Sequence, residues 1–289
     1  MKLIAILIAL AVEHFSSSLS QWRRLEWMAA CGSGLYRRLE GLGWRGGVLG
    51  VIVVVGALPL ATFLIVLLLE SIGWVLAFLF GLAVLIYCLG PGDLVDEVEG
   101  YIAATERGDR EAAHEYAIQI LGDDAPRDPV ALAEEMKGVM FLRLNERFLG
   151  VLFWFLVLGP LGAVLYRTSS LLQDHAAELD EEFNASLARL RWILDWPCAR
   201  LNMLAFALAG SFVDTMSCCA GLDDFLRKDN DVLIMDAAHG AMKYELAATE
   251  ASEGSPDVEG VAIALALARR SFLTWIGVIA FLTIAGWVV

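Results

Sequence analysis

The chain has 289 residues, 58% of them hydrophobic, with a formal net charge of −14 and a mean hydropathy of +0.63. A soluble globular chain is roughly 45–50% apolar; here the excess falls in long runs, so it marks membrane segments rather than an enlarged core. The acidity lies in the polar stretches, where it serves solubility; it excludes a nucleic-acid-binding protein, which needs a basic face, and it excludes broad adhesion to anionic lipid.

Residues 1–15 follow Lys2 with about a dozen apolar positions, too few for a bilayer core of about 20 residues. No small-residue cleavage motif follows, so the segment is expected to be an uncleaved half-span or interfacial helix. Ser16 to Gly47 carries Arg23, Arg24, Arg37, Arg38 and Arg45 against Glu26 and Glu40, which places it in the cytoplasm by the positive-inside rule. Residues 48–69 and 72–89 are predicted spans, joined by the Glu70-Ser71-Ile72-Gly73 turn, and they return the chain inside. Residues 90–147 are therefore cytoplasmic. Ala103, Ala112, Ala113, Ala117 and Leu121 form a helical apolar stripe ending at Gly122. Asp128-Pro129 restarts a helix, as cap and first position, and one helix is expected to run from there into the membrane.

The run 148–166 is long enough to cross but is broken at Gly159-Pro160. An amphipathic helix follows, with Leu171, Leu172, Leu179, Phe183, Leu187, Leu190 and Leu194 separated by Asp174, Glu178, Asp180, Glu181 and Glu182; Trp196-Pro197 is expected to stop it. Residues 201–213 form a shorter apolar run. If both runs cross, the stretch between them is outside; if both dip in, it stays inside, as Arg167, Arg189, Arg191 and Arg200 favour. Residues 217–270 are acidic, partly helical and cytoplasmic, with Glu253-Gly254-Ser255-Pro256-Asp257 a loose linker. Arg269 and Arg270 then precede a third span, 271–289. There is no internal repeat and almost no strand signal. The expected fold is an all-α polytopic membrane protein of the cell inner membrane, a single membrane domain over 1–289, with the lipid bilayer as its first partner.

Chemistry concentrates around the broken run. Asn145-Glu146-Arg147 precedes it, Gly159-Pro160-Leu161-Gly162-Ala163 interrupts it, and Tyr166-Arg167 closes it. Ionisable groups beside a membrane segment are costly unless used or paired. Pro160 starts a new half-helix, whose free N–H groups and positive dipole end suit an anion. Gly159 and Gly162 let a helix or ligand approach the backbone. Tyr166 lies four residues after Gly162, on the same face. One reading is a carboxylate or phosphate site made of Asn145, Arg147, Gly159, Pro160, Gly162, Tyr166 and Arg167, with Asp195 and Arg200 as further contributors. The other is helix packing by small residues, arginines snorkelling to the interface, and an Asp195–Arg200 ion pair at a helix junction. His14, His114, His175 and His239 are scattered. Cys31, Cys88, Cys198, Cys218 and Cys219 form no CxxC motif, and all five are expected to be reduced packing residues. No metal site is supported, no P-loop or G-x-S-x-G motif is present, and catalytic residues are unknown.

These strings resemble a known family. Asn145-Glu146-Arg147-Phe148, Leu152-Phe153-Trp154-Phe155, Gly159 to Arg167 and Leu194-Asp195-Trp196-Pro197 with Arg200-Leu201 are similar to AmpE, the inner-membrane protein associated with β-lactamase induction in Gram-negative bacteria. Leu10-Ala11-Val12-Glu13-His14 and the arginine-rich first loop look like AmpE too. AmpE in turn is similar to the CobD/CbiB membrane proteins of cobalamin assembly, which resemble amide-forming enzymes that use ATP. The shared core is G-P-x-G-A-x-x-Y-R and D-x-x-P-x-R-L. After Arg167 this chain continues Thr168-Ser169-Ser170-Leu171-Leu172 where CobD/CbiB proteins have an Asn-Thr-Leu-Asp-Ser-type string, which departs from the ligase pattern. The resemblance implies a regulatory or signalling accessory protein of cell-wall recycling and β-lactamase induction, with an anionic ligand such as a muropeptide or nucleotide and a cell-wall recycling partner protein. Its alternatives are a CobD/CbiB-like ligase using ATP as cofactor, and a muropeptide transporter.

Overall fold

The computed structural model describes residues 2–15, 25–41, 47–89, 93–175, 179–219, 221–250 and 256–284. Arg23, Arg24, Arg45, Glu178 and Glu253-Gly254-Ser255 lie outside them. All regular structure among the described residues is helical, as the composition predicts. The chain divides into two compact units: Met1–Pro91 with Glu146–Trp196 and Thr283–Val289, and Gly92–Asn145 with Pro197–Leu282.

In the first unit, α1 is Lys2–Phe15, α2 Glu26–Gly41, α3 Gly47–Ile72 and α4 Trp74–Cys88. Helix α3 has 26 residues, about 39 Å at 1.5 Å per residue, enough for a hydrocarbon core of about 30 Å. The expected second span, 72–89, forms only the 15-residue α4, about 22 Å long. Among the described residues, two helices are long and apolar enough to cross a membrane: α3 and the 258–281 stretch of the last helix.

The run from Asp128 is helical as far as Leu158. Asp128 accepts from the Ala131 N–H at 3.0 Å and Pro129 opens α7, Pro129–Leu144. The helical path then widens into a π turn over Asn145–Leu149 before α8, Gly150–Leu158. At Gly159 the chain reverses. Its φ of +69° and ψ of −152° fall where L side chains are strained, and α9 runs back from Pro160 to Asp174. Helices α8 and α9 form a tight antiparallel hairpin. A Cβ on Gly162 would overlap the Trp154 carbonyl oxygen, so glycine sets the spacing. The hairpin tip meets Gly81 of α4, where an added Cβ would lie 3.0 Å from Pro160 Cγ. Gly81 is seven residues into α4, about 10 Å from its start. The broken run is thus an antiparallel hairpin, and its tip stops short of the α3–α4 turn.

Helix α9 is the centre of the unit, packed against α2, α3, α4 and α8. It ends at His175 rather than continuing as one amphipathic helix. Helix α10 begins anew at Glu181, capped by Asp180, whose Oδ1 accepts from the Phe183 N–H at 2.7 Å. The Tyr36 hydroxyl of α2 donates to Asp180 and Tyr36 packs edge-on against Phe183 at 4.9 Å; this long-range contact fixes the break. Trp196-Pro197 does not stop the helix, for α10 continues through Pro197 to Ala209. Proline leaves the carbonyl four residues back without a helical donor; one residue on, the Leu194 carbonyl accepts from Trp154 Nε1 at 3.0 Å.

In the second unit, α5 is Asp93–Glu106 and α6 Arg110–Leu121. The expected single helix is broken at Gly108, φ +73°, and restarted by Asp109, which accepts from the Ala112 N–H at 3.1 Å. Gly122 closes α6 as expected. The apolar run 201–213 ends α10 and, after Gly210-Ser211, begins α11, Phe212–Ser217. Helix α12 is Leu222–Arg227 and α13 Asn230–Glu250. The last helix, α14, spans Pro256–Ile284, so Arg269 and Arg270 lie within it rather than before it. Arg269 pairs with Glu99, and Arg270 with Glu245 at 2.9 Å.

Candidate functional site

The second and third turns of α9 carry an unusual load. Tyr166, Arg167, Thr168, Ser169 and Ser170 are consecutive and all buried. Because α9 has neighbours on every side, the polar residues of this stretch have no water face and must find partners inside. Most do. The Tyr166 hydroxyl donates to Asp195 Oδ1 at 2.6 Å. The other Asp195 oxygen pairs with Arg191 Nη2 at 3.0 Å, and the Arg191 guanidinium lies 4.7 Å over the Tyr166 ring. The Ser170 hydroxyl donates to Glu146 of the π turn, and the Ser169 hydroxyl to the Tyr166 carbonyl at 2.7 Å. The π turn widens the helix beside Tyr166: a Cβ on Gly150 would overlap the tyrosine ring. Such turns recur at functional sites.

Some donors are left over. Arg167 is 6% exposed, and its Nε has no acceptor among the described residues. The Thr168 hydroxyl and Arg191 Nη1 are also buried without a partner there. Burial works against the Arg167 charge; among its charged neighbours Glu146 favours it most, while Arg147 opposes it. Glu146 also acts on Arg191, although Tyr166 and Asp195 act on it more strongly. Burial works against the Arg191 charge, but Tyr166 and Asp195 outweigh it and hold its pKa above the ordinary value. The cluster therefore sets three guanidinium groups, of Arg147, Arg167 and Arg191, around two carboxylates, with spare N–H and O–H groups. That is an arrangement for an oxyanion, which accepts several donors at once.

Of the residues expected from sequence, Arg147, Tyr166, Arg167 and Asp195 fall in this cluster. Gly159, Pro160 and Gly162 do not share its depth. Pro160 is seven residues from Arg167, about 10 Å along α9, and the start of the half-helix packs at the tip against α4. Asn145 and Arg200 belong to the second unit. There the Asn145 side chain accepts from Asn202 Nδ2 at 2.7 Å, and Asn202 Oδ1 accepts from Trp275 Nε1 at 2.9 Å. Arg200 donates to Asn230 and to the Phe225, Leu226 and Lys228 carbonyls, holding the turn before α13. Sequence reading missed Arg191, Thr168 and Ser170 as site residues. The spacing of Arg191 and Asp195, i and i+4 on one helix face, was a signal for the first.

Comparison with known proteins agrees with the resemblance. Over 207 residues, 70% of this chain and 67% of the relative, it is 28% identical to the "Cobalamin biosynthesis protein CobD" of Stutzerimonas stutzeri (strain A1501). Over 209 residues, 67% of each chain, it is 26% identical to the protein of the same description from Chromobacterium violaceum. No solved structure matches the chain. The family model described as "Regulatory signalling modulator protein AmpE" matches residues 1–289, and the chain belongs to the AmpE family.

Proposed function

We propose that this membrane protein is a regulatory component of cell-wall recycling and β-lactamase induction that senses a carboxylate- or phosphate-bearing ligand at the Arg147–Tyr166–Arg167–Arg191 cluster. The observation that carries the reading is Arg167, a buried guanidinium whose Nε lacks an acceptor among the described residues. A buried donor left unmade costs about 1–3 kcal/mol, and an anion would satisfy it. The family's regulatory description supports the signalling role. In this reading the protein is a multi-pass inner-membrane protein, the base of the hairpin faces the cytoplasm, and a muropeptide supplies the carboxylate.

The test uses the full chain in nanodiscs with an anhydromuropeptide as probe. Binding is expected to raise the unfolding midpoint, and Arg167→Ala to weaken binding at least tenfold, since a hydrogen bond to a charged group is worth about 1.5–3 kcal/mol. Cells lacking the protein are expected to show altered β-lactamase induction, restored by the wild-type chain but not by Arg167→Ala. No binding together with unchanged induction rejects the proposal.

The match to cobalamin proteins over 70% of the chain favours a second reading, a ligase that activates a carboxylate with ATP. The same cluster would then hold the nucleotide phosphates. Calorimetry with ATP separates the two: micromolar binding lost in Arg167→Ala favours the ligase, and no heat of binding excludes it.

A further inference from the structure

Beneath the hairpin tip the first unit contains an open cleft of about 540 Å³. Its walls are apolar, among them Val66, Phe78, Phe155 and Pro160, drawn from α3, α4 and both arms of the hairpin. It exists because the hairpin stops at Gly81 while α3 and the start of α4 continue. Its rim carries Lys2, Glu70 and Trp74. Lys2 Nζ donates to the Leu156 carbonyl at 3.0 Å, which leaves two of its three donors. Among the described residues, Glu70 makes no hydrogen bond or ion pair and does not pair with Lys2. Trp74 is 66% exposed at the end of an apolar helix, where indoles sit at the headgroup level.

An apolar cleft between membrane helices does not hold water well, and leaving it empty forfeits dispersion contacts along its walls. A space of about 540 Å³ is of the size of one hydrocarbon chain, whereas one turn of a helix about 10 Å across and 5.4 Å long already occupies most of it. The rim sets the headgroup: one cation and one anion, separate from each other, complement a headgroup that carries both signs. We infer that the cleft seats an acyl chain of a zwitterionic aminophospholipid, with its phosphate at Lys2 and its ammonium at Glu70. This site is distinct from the arginine cluster, which lies about 10 Å further along α9.

Native mass spectrometry of the full-length protein tests this, first as purified in mild detergent, then after exchange into nanodiscs of equal phosphatidylethanolamine and phosphatidylglycerol. One phosphatidylethanolamine is expected to stay bound, favoured about fivefold over phosphatidylglycerol, the ratio that a charge contact near 1 kcal/mol gives. Glu70→Gln is expected to abolish that preference while the lipid stays bound. Ala77→Trp, which fills the cleft, is expected to release it. Bound lipid that mirrors the bulk mixture, a preference for phosphatidylglycerol, or a lipid-free dimer would overturn the assignment. Should Ala77→Trp fail to fold, the wild-type ratio and the exposed Glu70→Gln variant decide.

Discussion

At Tyr166 the hydroxyl, the ring face and the ring edge are all in use: Asp195 accepts from the first, Arg191 covers the second, and Gly150 gives way to the third. Tyr166→Phe keeps the packing and removes one donor, leaving a buried Asp195 oxygen short of a hydrogen bond. The expected cost is about 1–3 kcal/mol, seen as a lowered thermal midpoint in detergent. An unchanged midpoint would mean that the bond adds nothing. Tyr166, Arg167 and Asp195 were legible in the sequence because polar groups beside an apolar run demand an explanation. Arg191 was not, because on an amphipathic helix an arginine looks like part of the solvated face. Thr168 and Ser170 were hidden for a related reason: hydroxyls mid-helix bond their own backbone in most settings, and only the packing of α9 on all sides shows that these are interior.

At the scale of elements, local chemistry was readable and long-range chemistry was not. Asp128-Pro129 and Gly122 bound their helices as their backbone preferences require. The break between α9 and α10 depends on Tyr36, 144 residues away from Asp180 in sequence, so no window of the sequence could show it. Pro197 was misleading because a proline costs a helix only what its surroundings fail to return, and Trp154 engages the opened turn. The Gly159-Pro160 break was legible as an irregularity, and the structure makes it a reversal. If the hairpin is re-entrant from the cytoplasm, Ser186→Cys on α10 will react with an impermeant thiol reagent only after permeabilisation. Labelling in intact cells would instead require the 148–166 run to cross the membrane once, which an antiparallel hairpin does not do.

For the whole molecule, the family assignment covers every residue, while the match to cobalamin proteins covers 70% and 67% of the chain. The second unit keeps its own polar interior. Asn202 is 1% exposed and bridges Asn145 and Trp275. Asn202→Ala removes both of these buried hydrogen bonds, so a loss of about 1–3 kcal/mol is expected in chemical denaturation; a surface-like loss under about 0.5 kcal/mol would place that network outside the core. The hairpin also constrains the order of assembly. A segment that enters the bilayer and turns back presents polar residues that hydrocarbon rejects, Arg167 to Ser170 among them. It can settle only in a slot whose walls already stand. Those walls, α3 and α4, are synthesised first. The hairpin is therefore expected to stay accessible to protease in membranes when it is made without residues 47–89, and to become protected when they are supplied as a separate chain. For a hairpin that re-enters in this way, insertion is a folding step rather than a translocation step, and its success reports on the helices made before it.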